Sequence, residues 1–182
     1  MIKYYYIREE KAMFKIFYPT EYYDSTYSIN FKKYYNKGYR GVIFDIDNTL
    51  VEHDAPCDER AARLMAKLKG LGYSICFLSN NDEKRVADFN ATAGAQYIYK
   101  AGKPLKKSYN KAMEMMGTNK DNTLFVGDQL FTDIWGANNA HIRSILVQPI
   151  AKHEEIQIVL KRIPEKLVLH FYLKKHKIKK RK

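Results

Sequence analysis

The chain has 182 residues, 46% apolar and 29% charged, which suits one compact domain and excludes a largely disordered protein. The two cysteines, Cys57 and Cys76, are too few for a disulfide scaffold or a cysteine-built zinc site, and we expect reduced thiols in a cytoplasmic protein. No apolar run reaches the ~18 residues of a spanning helix, and we expect no cleaved secretion signal. The net charge of +12 indicates an anionic partner, either a membrane surface or a nucleic acid.

The first 40 residues are rich in tyrosine and show no clear strand pattern. Ile29, Phe31, Tyr34 and Tyr35 fit one side of a helix that leads into the next element. We therefore predict that residues 1–40 form a packing segment and not a separate domain.

Apolar runs and helical patterns alternate from residue 41 onward. The runs that predict buried strands are 41–46, 73–78, 97–99, 122–126 and 142–147. The patterns that predict the intervening helices are 61–68, 86–93, 104–117 and 131–140. This alternation predicts βαβ units, and therefore an α/β fold with a doubly wound parallel sheet.

Polar side chains follow four of the predicted strands. The residues at these strand ends, in chain order, are Asp45 and Asp47, then Ser79, Asn80 and Asn81, then Lys103, and finally Asp128 and Asp133. Ligands gather at the carboxyl ends of strands in an open parallel sheet, so we expect these groups to converge. Clustered carboxylates with an ammonium and a hydroxyl favour a site for Mg²⁺ and a phosphate group.

The Asp45-x-Asp47 spacing also begins a calcium-binding EF-hand loop. That loop needs Asp or Asn at its fifth position and Gly at its sixth, where this chain has Thr49 and Leu50. The EF-hand interpretation therefore fails. A pair of solvated loop aspartates remains the alternative that the dipeptide spacing alone leaves open.

The ordered set of motifs resembles the haloacid-dehalogenase (HAD) superfamily of aspartate-nucleophile phosphatases. The residues that match its motifs are Asp45, Asp47, Thr49, Ser79, Lys103, Gly127, Asp128 and Asp133. The segments 44–51, 79–81, 103–104 and 127–133 resemble more narrowly the YqeG-like subgroup. That subgroup includes the phosphatidylglycerophosphate phosphatases of mitochondria and plastids.

The resemblance implies catalysis through an aspartyl-phosphate. Asp45 would attack phosphorus, which splits one difficult displacement into two easier ones. Asp47 would protonate the departing alkoxide and then accept a proton from the water that cleaves the intermediate.

The resemblance also implies a metal site and a phosphate-binding site. Asp45, the backbone carbonyl of Asp47 and Asp128 would hold Mg²⁺, with Asp133 as an outer or alternative ligand. The groups that would bind the phosphoryl oxygens are Ser79, Asn80, Lys103 and the backbone around Asn48. Three simpler interpretations stay open: Asp133 braces the following helix, Ser79 is a turn residue, and Asn48 shapes the catalytic turn.

The spacing of the motifs leaves no room for the cap domain that encloses small substrates in many phosphatases of this superfamily. Only 31 residues separate Asp47 from Ser79, and 23 separate Ser79 from Lys103. We therefore predict a capless phosphatase domain over residues 41–163. An open site suits a substrate that is attached to something large.

The last part of the chain holds most of the positive charge. Residues 151–182 contain eleven Lys or Arg against three Glu, so they carry +8 of the net +12. An apolar run at 167–173 precedes seven Lys or Arg in the last nine positions, an arrangement that binds anionic leaflets. We predict that residues 164–182 form an apolar, polybasic tail that contacts a membrane surface. Two alternatives stay open: a final helix packed on the sheet and followed by a solvated end, and a tail that binds nucleic acid.

Three functions follow from these observations. The first is a Mg²⁺-dependent phosphatase of phosphatidylglycerophosphate, peripheral on the cytoplasmic face of a membrane. The second is a phosphatase of a soluble metabolite or phosphoprotein. The third is an RNA- or ribosome-associated factor, disfavoured because the tail lacks interleaved aromatic residues on which bases stack.

Overall fold

A computed structural model describes residues 14–151 and 156–176, with the side chains of the last helix described from residue 164. The strands of these ranges are β1 (Glu21–Tyr23), β2 (Gly41–Phe44), β3 (Ser74–Leu78), β4 (Gln96–Ile98), β5 (Thr123–Gly127) and β6 (Arg143–Val147). They form one sheet in the order β1-β6-β5-β2-β3-β4, and each neighbouring pair is parallel. From β2 the chain winds outward through β3 and β4, then returns to β5 and β6. The predicted α/β fold with a doubly wound parallel sheet is confirmed.

Helices connect the strands and cover both faces of the sheet. Within the described residues they are α1 (Phe31–Asn36), α2 (Glu59–Gly70), α3 (Glu83–Ala93), α4 (Lys106–Met116), α5 (Trp135–Asn139) and α6 (Ile156–His176). Short 3₁₀ turns occupy Phe14–Phe17 and Thr26–Ser28, and a π-helical turn over Leu130–Ile134 leads directly into α5.

Successive residues of each central strand enter different halves of the core. Val42 and Phe44 pack with α1, α2 and α3 on one face of the sheet. Ile43 points to the other face, where it packs with Tyr109 of α4 and Ala137 of α5. Burial on both faces explains why β2 reads as a continuous apolar run in the sequence.

The helices after β2, β3 and β4 start in two different ways. Asp58 and Asp82 cap α2 and α3 by accepting the backbone N–H groups of Ala61 and Arg85, at 2.7 and 2.9 Å. Helix α4 begins instead after Leu105, which supplies no side-chain cap. An uncapped start costs about 1 kcal/mol relative to Asp, and basic residues in the first turn oppose the helix dipole.

The observed elements depart from the predicted ones at several boundaries. The predicted strand 41–46 ends at Phe44, because Ile46 begins the turn in which its carbonyl accepts the Leu50 N–H at 2.8 Å. The predicted helix 104–117 starts two residues later, because Leu105 first closes a turn onto Gly102. The predicted helix 131–140 is divided between the π-helical turn and α5.

Strand β1 is the element that the sequence did not predict. It has three half-buried residues and pairs with β6 at the edge of the sheet. The Glu21 carboxylate accepts from Nε and Nη2 of Arg143 on β6, at 2.8 and 2.7 Å, and from the Tyr34 hydroxyl of α1 at 2.6 Å. One carboxylate thus joins β1, β6 and α1, which incorporates the N-terminal packing segment into the sheet.

Helix α6 places part of the predicted tail on the sheet domain. Val168 and Tyr172 are buried, and Val168 packs with Leu130, Ile134 and Leu146. For residues 164–176 the alternative of a final helix packed on the sheet is therefore observed, and the predicted boundary at 163/164 falls inside α6. Residues 177–182, with most of the predicted polybasic end, lie outside the described residues, as do 1–13. No helix in the described part of the chain is long and apolar enough to cross a membrane.

Neutralising Glu21 should weaken the attachment of β1. Burial raises the pKa of Glu21, but hydrogen bonds from Tyr34 and Arg143 outweigh burial and hold that pKa below its ordinary value. Because the pKa of Glu21 is lower in the folded than in the unfolded protein, the contacts of its carboxylate stabilise the fold above about pH 4.5, its ordinary pKa. This stabilisation is lost as the pH falls further. Glu21→Gln should therefore lower the free energy of unfolding at pH 7 by on the order of 1 kcal/mol.

Urea unfolding at pH 7 and at pH 3.5 tests this expectation. The difference between the wild type and Glu21→Gln should shrink at the lower pH. Glu114→Gln, at an exposed position of α4, is the matched control and should change stability little at either pH. An equal deficit for Glu21→Gln at both pH values would contradict a role for the Glu21 charge.

Candidate active site

The candidate residues meet at the carboxyl edge of the sheet. Strands β5, β2, β3 and β4 are neighbours, so the loops that follow them converge on one cleft. The cleft has a volume of about 90 Å³, and its lining residues are Asp45, Asp47, Asn48, His53, Ser79, Asn80, Asn81, Lys103, Gln129 and Thr132. Pockets that enclose a drug-sized ligand measure roughly 300–1,000 Å³, so this one admits only a small group.

Lys103 forms a buried pair of salt bridges at the base of the cleft. Its Nζ lies 2.5 Å from Oδ1 of Asp45 and 2.7 Å from Oδ1 of Asp133. Burial opposes the charge of the ammonium group, but Asp133 and Asp45 outweigh burial and raise the pKa of Lys103 above its ordinary value. Lys103 is therefore a fixed positive charge beside the Asp45 carboxylate.

Both carboxylate oxygens of Asp133 are used within the protein. Oδ1 accepts from Lys103, and Oδ2 accepts the backbone N–H groups of Asp128 and Gln129 at 3.1 and 3.0 Å. A side chain at Gly127 would place its Cβ 2.5 Å from Oδ2 of Asp133, so only glycine fits there. These contacts are those of a brace for the loop after β5, and a metal-binding role for Asp133 stays a prediction.

Three buried carboxylates, those of Asp45, Asp128 and Asp133, could hold a metal ion. Each offers an oxygen, and the three oxygens lie within 4.8 Å of one another. Burial raises the pKa of Asp45, and the charges of Asp133 and Asp128 raise it further, against the opposite effect of Lys103. Three carboxylates face one ammonium, so the cluster has excess negative charge, and its hard oxygen donors fit a divalent cation such as Mg²⁺.

Asp47 lies in a different environment from Asp45. Its Oδ1 accepts from Nη2 of Arg85 at 2.8 Å and from the Asp54 N–H at 2.9 Å, and its Oδ2 accepts from Nδ2 of Asn81 at 2.8 Å. The side chains of Asp47 and Arg85 are each 12% exposed, so this ion pair is largely shielded from water. The two aspartates of the motif thus have separate cationic partners, which is the arrangement that gives paired carboxylates different roles.

Arg85 was not predicted as a site residue. It lies in the first turn of α3, which starts at the carboxyl edge directly after the Ser79-Asn80-Asn81 segment. That position was the available signal, because a basic residue in the first turn of such a helix faces the strand ends. His53, with Nδ1 3.8 Å from Asp47, is a second cleft residue that the sequence did not assign.

The residues predicted to bind phosphate have contacts within the protein. Ser79 is buried, and its hydroxyl accepts the Asn81 N–H at 3.1 Å. Oδ1 of Asn80 accepts the backbone N–H of Lys103 at 2.8 Å, which holds the loop that carries the ammonium. Asn48 adopts a left-handed backbone with φ 62° and donates its N–H to the Val51 carbonyl. All three line the cleft, and their roles toward phosphate stay predictions.

No cap covers the cleft between the motifs. The structure describes every residue from 47 to 103, and this interval holds only turns, α2, β3, α3 and β4. The mouth of the cleft is therefore bordered by strand-end loops and helix starts of the sheet domain.

Comparisons with known proteins agree with this geometry. A family model described as HAD-hydrolase-like matches residues 100–158. The chain is 37% identical over 141 residues to the probable phosphatase YqeG of Bacillus subtilis strain 168, covering 77% of this chain and 82% of that protein. It is 26% identical over 139 residues to phosphatidylglycerophosphate phosphatase 1, chloroplastic/mitochondrial, of Arabidopsis thaliana, covering 68% of this chain and 38% of that protein.

Solved structures with a similar backbone include a protein from Listeria monocytogenes serotype 4b, with a TM-score of 0.49 and 19% identity. That match covers 71% of this chain and 97% of the other. The cobalt-bound deoxy-D-mannose-octulosonate 8-phosphate phosphatase of Haemophilus influenzae matches with a TM-score of 0.49 and 16% identity, over 75% of this chain and 90% of that one.

The parallel sheet, the strand-end carboxylates and the match to YqeG define the class of protein, which is a phosphatase of the HAD superfamily. Within that superfamily the chain belongs to the YqeG-like family, as its motifs indicated.

Divalent metal should stabilise this protein through the carboxylate cluster. A ligand at 100 times its dissociation constant adds ~2.7 kcal/mol, which for a chain of this size raises Tm by about 5–10 °C. Thermal unfolding with increasing Mg²⁺ should show this rise for the wild type. Asp128→Asn should remove the rise, and should not lower Tm without metal, because it relieves repulsion among buried carboxylates.

Asp121→Asn, at an exposed position, is the matched control and should respond to Mg²⁺ as the wild type does. A wild-type Tm that does not depend on Mg²⁺, or an undiminished rise in Asp128→Asn, would contradict the assignment of the cluster.

Proposed function

We propose that this HAD phosphatase is a Mg²⁺-dependent phosphomonoesterase of phosphatidylglycerophosphate, with Asp45 as the nucleophile, acting at a membrane surface. The observation that carries the proposal is the small cleft with the Asp45–Lys103 ion pair at its base, which no segment between residues 47 and 103 covers. Such a cleft admits a terminal phosphate group and leaves the rest of the substrate outside. A phospholipid whose headgroup ends in a phosphate fits this arrangement, because the phosphate can enter the cleft while the lipid stays in the bilayer.

Asp45 has the surroundings of a nucleophile. It directly follows β2, its side chain is buried, and Lys103 orients the Oδ1 atom. Attack by an Asp45 oxygen on phosphorus forms the aspartyl-phosphate and breaks the bond to the lipid alkoxide. The Lys103 ammonium is positioned to bind a phosphoryl oxygen as charge develops there.

Asp47 is the proton carrier of the reaction. When protonated it gives its proton to the departing alkoxide, and as a carboxylate it then takes a proton from the water that attacks the aspartyl-phosphate. Arg85, Asn81 and the Asp54 N–H hold this carboxylate at the mouth of the cleft. Arg85 is therefore a positioning residue that acts through Asp47.

Asp45, the carbonyl of Asp47 and Asp128 would hold Mg²⁺, and Asp133 would brace Asp128 through the Asp128 N–H. The metal supplies positive charge that offsets the negative charge of the phosphoryl oxygens. The groups of this chain that would bind the same oxygens are the Ser79 hydroxyl, the Asn80 amide, Lys103 and the backbone near Asn48.

Two features support a phospholipid as the substrate. The Arabidopsis relative is named as a phosphatidylglycerophosphate phosphatase, and it aligns with 68% of this chain. The sequence after residue 173 is strongly basic, and each Lys or Arg near an anionic leaflet contributes roughly 1 kcal/mol to binding. The polybasic tail is thus an anchor that keeps the enzyme at the surface containing its substrate.

Loss of Arg85 should affect proton transfer more than phosphate binding. Arg85→Ala should lower kcat/KM by about 10- to 100-fold on an alkyl phosphate, because Asp47 is no longer held in place to protonate the alkoxide. The loss of kcat/KM should be much smaller on p-nitrophenyl phosphate, because kcat/KM reports formation of the aspartyl-phosphate and this leaving group needs no proton. Arg85→Lys should recover part of the activity, and the exposed neighbour Lys84→Ala should match the wild type.

Comparison of kcat/KM for the two substrates separates this role from a general structural defect. Equal losses of kcat/KM on the alkyl and aryl esters would contradict a positioning role for Arg85.

A substrate panel tests the function as a whole. Purified protein with Mg²⁺ should hydrolyse short-chain phosphatidylglycerophosphate at least ~10-fold more efficiently, in kcat/KM, than sugar phosphates, nucleotides, phosphopeptides or p-nitrophenyl phosphate. Asp45→Asn is the inactive control. Faster turnover of a soluble metabolite or phosphopeptide would replace the lipid assignment, and tight RNA binding with no turnover of any ester would favour the RNA-associated alternative.

A further inference from the structure

The loop between β4 and α4 exposes an apolar side chain next to the active site. Leu105 is 68% exposed, the largest exposed fraction among the large apolar residues that the structure describes. It lies two residues after Lys103, whose ammonium forms the base of the cleft. The side chain is therefore at the carboxyl edge of the sheet, on the same edge as the mouth of the cleft.

The loop that carries Leu105 is held in place by the protein. The Lys100 N–H donates to the Asn81 carbonyl at 2.8 Å, and the Ala101 N–H donates to the Ser79 carbonyl at 2.9 Å. The Ser108 hydroxyl donates to the Ala101 carbonyl from the first turn of α4. Leu105 is thus presented to solvent by an ordered backbone.

The exposed residues close to Leu105 in the sequence are mainly basic. Lys100, Lys106 and Lys107 are exposed, and Tyr99 is a further apolar ring that is 39% exposed. The acid in contact with this group is Glu83, which hydrogen-bonds to the Tyr99 hydroxyl. The segment 99–107 therefore exposes two apolar side chains and three lysines, a composition that suits the surface of an anionic bilayer, with acyl chains below charged headgroups.

The start of α4 differs from the starts of α2 and α3. Helices α2 and α3 begin with an Asp cap followed by Glu, whereas α4 begins with Leu105, Lys106 and Lys107. This arrangement lacks a cap and opposes the helix dipole.

We propose that residues 99–107 are the surface through which the enzyme contacts an anionic leaflet, with Leu105 inserted at the boundary of the acyl chains. The proposal rests on the proposed function and adds to it the orientation of the enzyme on the membrane. Contact through this loop turns the mouth of the cleft toward the headgroups, so that a terminal phosphate can enter while the lipid stays in the bilayer.

The basic tail cannot provide this orientation. Helix α6 ends at His176, and Nζ of Lys175 lies 5.6 Å from the ring of Tyr18, which precedes β1. The tail therefore starts near the amino edge of the sheet, opposite the cleft. It can hold the protein near a surface, whereas the 99–107 loop determines which edge faces that surface.

Vesicle sedimentation at fixed salt tests the proposal. Wild type, Leu105→Ser, the double variant Lys106→Gln/Lys107→Gln and the control Leu167→Ser are compared on vesicles of phosphatidylcholine with and without phosphatidylglycerol. Leu167 is also apolar and is 54% exposed, but it lies on α6, outside the 99–107 loop. Leu105→Ser and the double variant should each bind anionic vesicles about 10-fold more weakly. The control should bind within about twofold of the wild type.

Hydrolysis provides a second readout for the same proteins. Leu105→Ser and the double variant should hydrolyse p-nitrophenyl phosphate normally, and should lose activity on phosphatidylglycerophosphate embedded in vesicles in proportion to their binding. Thermal melting confirms that each variant is folded. A deletion of residues 177–182 should weaken vesicle binding, and Leu105→Ser should weaken the remaining binding by the same factor as in the full chain.

The possible results test the membrane-contacting surface and the proposed substrate separately. Unchanged vesicle binding by Leu105→Ser, or a larger loss in Leu167→Ser, would overturn the proposal. RNA binding that depends on Lys106 and Lys107, with no vesicle binding by the wild type, would also overturn it. Leu105-dependent vesicle binding without turnover of phosphatidylglycerophosphate would support the surface and reject the proposed substrate.

Discussion

The paired salt bridges of Lys103 are the interaction on which the rest of the active site depends. One ammonium joins Asp45 after β2 to Asp133 after β5, and the loop that carries it follows β4. Three loops that are distant in sequence are therefore held in one geometry by a buried charge cluster. Removing Lys103 would leave two buried carboxylates without their cation, a change that typically costs ~3–5 kcal/mol. The cluster is thus both a structural connection and the source of the fixed charge beside Asp45, the proposed nucleophile.

Several local features follow from this constraint. The π-helical turn at Leu130–Ile134 directs Asp133 back toward β5, where it accepts two backbone N–H groups. Gly127 leaves the space that the Asp133 carboxylate occupies. Asn80 fixes the backbone of Lys103 from the neighbouring strand end. Lys103 alone does not neutralise the three buried carboxylates. This excess negative charge is the reason to expect a divalent cation.

The sequence predicted the parts of the molecule that depend on local pattern. Strands such as β2 are buried on both faces and appear in the sequence as apolar runs. In a parallel sheet the carboxyl ends of such strands lie together, so the residues that follow them, Asp45, Lys103 and Asp128, could be predicted to share one site. Strand β1 escaped prediction because its three half-buried residues have no pattern, and its place depends on long-range contacts of Glu21. The Arg85–Asp47 pair was missed for the same reason, since it joins a helix start to a strand end 38 residues away. Packing of α6 likewise depends on a partner surface that the apolar run 167–173 does not reveal.

Trapping the covalent intermediate would show directly whether Asp45 is the nucleophile. Wild-type protein with Mg²⁺ and a substrate carrying ³²P in its phosphoryl group is quenched in acid during turnover, and the labelled peptide is identified. We expect a label that survives acid, is released by hydroxylamine as an acyl phosphate is, and maps to Asp45. Asp45→Asn should take up no label, although it should retain the fold. A label on another residue, or rapid turnover with no labelled protein at any quench time and full activity in Asp45→Asn, would contradict nucleophilic catalysis by Asp45.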